Sequence, residues 1–252
     1  MRTNRTRVLA TGGTPAFGTM FNSASPLMAE WLGHSGFDFV VVDLQHGENT
    51  MASVGVMLQA LSSTPATPFV RVPANLPVDI ERVLDLGAYG VIVPQVDTPA
   101  EAEAAVKSVR YAPRGNRSFG PVRGAIYGGP DYFSRSAETL LTLVMLESAE
   151  ALRNAAAILA VDGVDGAFVG PADLNISLGH SPDSPSFGAS TEEGIAAIAR
   201  IAAQAGKLAG IHAFDLEQAR RRVAQGYRIV TVMAETRMVR AQANQLLAAL
   251  RG

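Results

Sequence analysis

Eight times along the chain, a short run of β-branched and aromatic residues gives way to a longer, alanine-rich amphipathic stretch. The series opens with "FGTMF" (17–21) before 26–36, "FDFVVVD" (37–43) before 51–63, "PFVRV" (68–72) before 77–87 and "YGVIVPQV" (89–96) before 99–113. It continues with "LLTLVMLES" (140–148) before 149–161, "VDGAFVG" (164–170) before "PADLNISLG" and a helix near 191–205, "KLAGIHA" (207–213) before 215–226, and "YRIVTVM" (227–233) before 235–250. Such alternation predicts βα units. The strand runs do not alternate apolar with polar residues, so both faces are covered, as in a parallel sheet. Eight units close a barrel, and about 250 residues is the usual size of a (β/α)8 chain. The expected fold is α/β, one barrel domain over 1–252 with no internal linker. Gly36, Gly87, Gly206 and Gly226 stand where left-handed caps end helices.

Composition narrows the function. With 48% apolar and 17% charged residues, no run reaches the roughly 20 apolar residues of a membrane helix. The basic start, "MRTNRTRVLATGG", lacks a following signal-peptide core and is read as a short disordered or packing tail of a cytoplasmic protein. A net charge of −2 with scattered arginines offers no stripe for a phosphate backbone, so nucleic acid is not an expected partner. The chain has no cysteine, which leaves oxygen or imidazole as the only metal donors. Two Gly-, Pro- and Ser-rich interruptions, 111–138 and 179–190, have the composition of lids, interface elements or mobile loops.

Barrel enzymes carry their chemistry at the carboxyl ends of the strands. Here those ends hold Asp43, Gln45 and His46, then Arg71, Gln95, Glu147, Asp173 and His212. Taken singly, each has a plain reading as an N-cap, an ion-pair partner or a packed histidine; together they converge on one mouth. Glu147 closes an apolar strand, where an ionised carboxylate is costly without a partner or cation. Glu147 and Asp173 are able to share one hard divalent cation, Mg²⁺ or Mn²⁺. The turn Gly170, Pro171, Ala172, Asp173 offers backbone N–H groups to a substrate carboxylate, and Arg71 offers a bidentate partner. This set suits a 2-oxo acid whose ketone is polarised and whose enolate is stabilised. No lysine stands at these strand ends, which argues against a Schiff-base aldolase.

Six motifs, "FDFVVVDLQHG", "PFVRVP", "VLDLGAYGVIVPQV", "YAPRGNRSFGP", "MLESAEAL" and "VDGVDGAFVGPADLNISLG", resemble in order and spacing the HpcH/HpaI-type class II pyruvate aldolases, whose barrels are of the phosphoenolpyruvate/pyruvate-binding type. The resemblance covers nearly the whole chain. It implies a metal-dependent aldolase that reversibly cleaves 4-hydroxy-2-oxo acids to pyruvate or hydroxypyruvate and an aldehyde. By it Glu147 and Asp173 are the ligands of Mg²⁺, Mn²⁺ or another divalent ion such as Co²⁺. Arg71 with the Gly170, Ala172 and Asp173 region holds pyruvate. His46 is the base, acting through a water on the metal, with Asp85 orienting its imidazole. It further implies a homo-hexamer, a trimer of dimers, in which the last helix is exchanged between subunits; a helix on its own barrel is the alternative. Gln45 replaces an acidic residue of many members and Met145 a glutamine of some, which places the chain nearest the hydroxyketoacid aldolases. His212 and Phe214, with the loop around Arg117 and Arg123, are the candidates for the aldehyde pocket, while His34 and His180 read as structural. Competing readings are a lyase of malyl- or citramalyl-type thioesters and a non-catalytic 2-oxo-acid-binding barrel; oxaloacetate decarboxylation, as in macrophomate synthase, remains open as a side activity.

Overall fold

In a computed structural model, which describes residues 1–184 and 186–252, the eight strands form a closed parallel barrel in sequence order. They are β1 (Ala16–Phe21), β2 (Phe39–Asp43), β3 (Thr67–Arg71), β4 (Gly90–Val93), β5 (Leu141–Leu146), β6 (Gly166–Val169), β7 (Leu208–Ala213) and β8 (Ile229–Ala234). Twelve helices accompany them among the described residues: α1 (Arg5–Thr11), α2 (Pro26–His34), α3 (Val54–Leu61), α4 (Pro77–Asp85), α5 (Pro99–Val109), α6 (Val122–Gly128), α7 (Tyr132–Thr139), α8 (Ala149–Leu159), α9 (Pro171–Ser177), α10 (Ala189–Gln204), α11 (Leu216–Ala224) and α12 (Glu235–Arg251). This is the expected (β/α)8 architecture.

The unbroken valine run of β2 now has a cause. Phe39 and Val41 point into the barrel with Phe69, Ile92, Leu143 and Phe168, while Val40 and Val42 face the helical layer with Val70, Leu58 and Ile80. Both faces are dry, so no polar residue is tolerated until the strand reaches the mouth. The interior is filled by matching large to small: a Cβ on Gly18 would sit 2.6 Å from the ring of Phe39, so the ring occupies the space the glycine leaves. Helices α2, α4, α5 and α9 open on proline, and Thr98 and Glu101 close a capping box at α5. The four glycines expected to end helices all have positive φ.

Two segments whose readings were open now have a place. The basic start is no loose tail: Asn4 is buried, donates to the carbonyls of Tyr89 (3.0 Å) and Thr139 (2.9 Å), and caps α1, whose Ala10 enters the barrel core. Arg7 and Arg110 both reach Asp165, so α1 plugs the amino-terminal floor of the barrel. The 111–138 segment is no lid over the mouth. It follows α5, which has already run back to that floor, and it contains α6 and α7, with α6 packed on α4. Position 185, within the 179–190 segment, lies outside the described residues; Phe187 of that segment packs against Phe214 with ring centroids 6.0 Å apart. No helix among the described residues is long and apolar enough to cross a membrane.

Candidate active site

The carboxyl ends of the strands converge on a cavity of about 210 Å³ whose lining includes His46, Arg71, Gly170, Ala172, Asp173 and His212. A second, wider hollow of about 600 Å³ opens beside it. It is bounded by Gln45, Gln95, Glu147 and Ser148, and it shares His46 and Asp173 with the first. The structure thus gathers His46, Arg71, Glu147, Gly170, Ala172, Asp173, His212 and Phe214 around this one mouth, and leaves Asp85, Arg117 and Arg123 outside it.

Asp43 organises the side that carries the imidazole. It ends β2 fully buried, and its carboxylate accepts Nε and Nη2 of Arg71 at 2.8 and 2.7 Å. The same carboxylate accepts the backbone amides of Gln45 (3.1 Å) and His46 (3.3 Å) and the Asn22 side-chain amide (3.2 Å). Asn22 also donates to the His46 carbonyl at 2.8 Å, so the turn that carries the exposed imidazole is clamped from two sides. Asn22 is itself held by Glu235 at the start of α12, which is buried and accepts the amides of Asn22 and Ser23. Buried carboxylates of this kind are tolerated because backbone amides or a guanidinium satisfy their oxygens.

The opposite side carries the two carboxylates, Glu147 and Asp173. Glu147 is buried and accepts only the amide of Gln95, at 2.8 Å, among the described residues. That amide is aimed by a left-handed backbone at Gln95, φ 54°, an uncommon conformation for a residue with a Cβ. Burial is the main cause that lifts the Glu147 carboxyl to about 7; the Gln95 amide and Arg71 oppose the rise, and the neighbouring Asp173 carboxylate adds to it. A carboxyl destabilised by burial and by a second carboxylate is one that a divalent cation would return to its ionised form. Gly170 fits the same picture, since a Cβ there would lie 2.3 Å from Glu147 Oε2, closing the space around that oxygen. No group of three or more His, Asp or Glu side chains is placed to hold a metal among the described residues. The hollow offers two carboxylates, Glu147 and Asp173, so at a cation held there waters and substrate oxygens would have to complete the shell, as Mg²⁺ and Mn²⁺ accept. The residues present fit the group.

Across the first cavity, α9 starts at Gly170 without a side-chain cap, so the amides of Ala172 and Asp173 face the lining unpaired. His212 Nδ1 lies 2.9 Å from Thr231 Oγ1, and the imidazole meets the Phe214 ring edge-on at 4.9 Å. Its pKa is pushed down to about 4, first by burial and then by the charges of Arg71 and Arg237, so His212 is neutral at physiological pH.

Three expected contributors lie elsewhere. Asp85 ends α4, and a barrel helix runs antiparallel to its strand, so this carboxylate stands at the amino-terminal rim, away from His46 of its own chain. There it accepts Nη2 of Arg117 at 2.7 Å. Arg117 is buried between Tyr111 and Tyr132, and Arg123 donates to the carbonyls of Leu86 and Leu58; both arginines hold α6 and its flanks to the barrel and neither lines the mouth. His180 pairs with Ser190 at 2.7 Å, as a structural histidine does. The sequence reading passed over Asn22 and Arg237. Asn22 follows β1 directly and carried the same strand-end signal as Asp43, whereas Arg237 sits inside a helical pattern and carried none.

The HpcH/HpaI aldolase/citrate lyase family model matches residues 17–241. A hydroxypyruvate/pyruvate aldolase of Rhizorhabdus wittichii is 40% identical over 97% of this chain and 98% of its own. A 4-hydroxy-2-oxo-heptane-1,7-dioate aldolase of Klebsiella pneumoniae is 37% identical over 94% of this chain and 89% of its own. The crystal structure of a family member from Burkholderia cenocepacia superposes with a TM-score of 0.90 at 34% identity, covering 98% of each chain. The chain belongs to the HpcH/HpaI aldolase/citrate lyase family and is a carbon–carbon lyase.

Proposed function

We propose that the protein is a divalent-metal-dependent aldolase that cleaves 4-hydroxy-2-oxo acids to pyruvate or hydroxypyruvate and an aldehyde, and runs the addition in reverse. The observation that carries this reading is the meeting, at one mouth, of an exposed imidazole, a guanidinium fixed by Asp43 and a buried carboxyl at Glu147 raised to about 7. The names of the R. wittichii and K. pneumoniae relatives support the substrate class.

In this reading the 2-oxo acid carboxylate lies against the free amides of Ala172 and Asp173, with Arg71 donating to the oxygens at C1 and C2. Glu147 and Asp173 hold the cation, which when bound polarises the ketone and stabilises the negative charge that cleavage leaves behind. His46 takes the proton of the C4 hydroxyl as the C3–C4 bond breaks, its loop held in place by Asp43 and Asn22. His212, kept neutral, hydrogen-bonds the substrate without competing for that proton.

We place the enzyme in the cytoplasm, beside the free 2-oxo acids it would use. We also propose that it works as a hexamer, a trimer of dimers with α12 exchanged between subunits. Val239, Leu246, Leu247 and Leu250 are exposed on α12 of the single chain, and Phe119, Val122, Ile126 and Phe133 are exposed near the amino-terminal rim; both sets support association. The activity is tested by following pyruvate release from a racemic 4-hydroxy-2-oxo acid after EDTA treatment and re-addition of Mg²⁺ or Mn²⁺. Cleavage that vanishes with EDTA and returns with either ion is expected; cleavage indifferent to EDTA contradicts the metal assignment.

A further inference from the structure

The two guanidiniums at the mouth differ in one respect. Arg71 is neutralised by the two-point ion pair with Asp43. Arg237, in the first turn of α12, lines the same cavity and has no hydrogen bond or ion pair with any carboxylate among the described residues. The nearest carboxylate in sequence, Glu235, is already engaged by the amides of Asn22 and Ser23. The Arg237 guanidinium lies 5.3 Å from the centroid of the Phe214 ring. Stacking of this kind steadies a guanidinium while leaving its N–H edge free to donate in a plane. Its charge is felt within the cavity, where it helps to keep His212 neutral.

Resting on the aldolase reading above, the lining of the cavity divides between the two ends of the substrate. With the 2-oxo acid end held by Arg71 and the α9 amides, the part beyond C4, which leaves as the aldehyde, is left to the rest of the lining, which includes Phe214, Ala234 and Arg237. An unneutralised arginine in that part of the lining matches an anion, and its bare charge discriminates against neutral chains because it would be desolvated without a partner. We infer that Arg237 forms an anion subsite for the distal end of the substrate, so that the preferred aldehyde carries its own carboxylate or comparable oxyanion and the preferred 4-hydroxy-2-oxo acid is a dianion.

Two measurements test this on the full chain loaded with Mg²⁺ or Mn²⁺. The first compares kcat/KM for addition of pyruvate to succinic semialdehyde, to glyceraldehyde 3-phosphate and to butanal, in the wild type, Arg237→Gln and Arg237→Lys. The wild type is expected to favour the charged aldehydes over butanal by about 10- to 100-fold, the range of one charge-assisted hydrogen-bonded contact. Arg237→Gln is expected to collapse that ratio towards one, and Arg237→Lys to keep part of it; the ordering of the carboxylated and phosphorylated partners identifies the oxyanion. Equal use of charged and neutral aldehydes by the wild type, or an equal fall for all three in Arg237→Gln, overturns the subsite. The second measurement needs no turnover: calorimetric binding of 2-oxoadipate against 2-oxohexanoate. A preference for the dianion of about tenfold or more, lost in Arg237→Gln, supports the subsite even if addition fails and the aldolase reading falls. Equal binding refutes it even if addition succeeds.

Discussion

Asp43 receives five donors, more than any residue assigned a chemical role, and yet touches no part of the cavity chemistry except through Arg71 and the His46 turn. It is a positioning residue, and its removal should show as a combined loss. Asp43→Asn is expected to lower stability by about 3 kcal/mol, since it leaves a half of a buried pair, and to lower kcat/KM by about 100-fold through misplacement of Arg71 and His46. Urea unfolding beside steady-state kinetics checks both, and wild-type activity in that variant would show that Arg71 needs no fixing. Glu147 makes a different prediction. Its folded-state pKa, about 7, lies above the ordinary 4.5, so the ionised form is disfavoured by folding and stability falls as pH rises from about 4.5 through 7. The metal-free protein should therefore lose on the order of 3 kcal/mol relative to Glu147→Gln across that window. Mg²⁺ or Mn²⁺ should raise its melting temperature more at pH 8 than at pH 5, and thermal unfolding at the two pH values decides. At this scale the sequence was informative where a residue directly ended a strand, as at His46, Arg71 and Glu147. Asp85 was named by the family resemblance alone, and within its own chain it ends α4 at the rim opposite His46.

At the scale of elements, the junction of β6 and α9 combines three demands: a tight exit from the barrel, free amides at Ala172 and Asp173, and room for Glu147. Gly170→Ala should leave the fold intact yet push Glu147 Oε2 aside. Mn²⁺ affinity measured by electron paramagnetic resonance is expected to fall about tenfold or more, with an unchanged circular dichroism spectrum. Wild-type affinity would show that Oε2 does not bind the ion. The sheet itself was legible, strand by strand, because most runs are unbroken and apolar, as strands covered on both faces must be. Helices α6 and α7 were not, since their Gly- and Pro-rich surroundings resemble a loop. They are fixed by contacts from far along the chain, among them Arg117 with Asp85 and the amino-terminal Arg2 amide on the Gly128 carbonyl. Arg237 was hidden for the same reason: its distance from Phe214 follows from the closure of the barrel, and no local pattern announces it.

The whole molecule puts its polar chemistry at one end of a dry barrel and a structural network of Asp165, Arg7 and Arg110 at the other. Between them the core carries the stability, which leaves the mouth free to hold a buried carboxyl and the left-handed backbone of Gln95 at some cost. The exposed apolar residues of α12 predict association: light scattering should give a mass near six times the 26.4 kDa chain, and deletion of 236–252 should reduce it. A monomer at micromolar concentration would exclude the hexamer. If His46 and Glu147 work in one site that forms an enolate, proton NMR of pyruvate in D₂O will show it. Methyl exchange that needs Mg²⁺ or Mn²⁺, stops with EDTA, and is lost in both His46→Ala and Glu147→Gln is the predicted result. Failure of the wild-type protein to exchange with either ion, or exchange that survives in both variants, would contradict it.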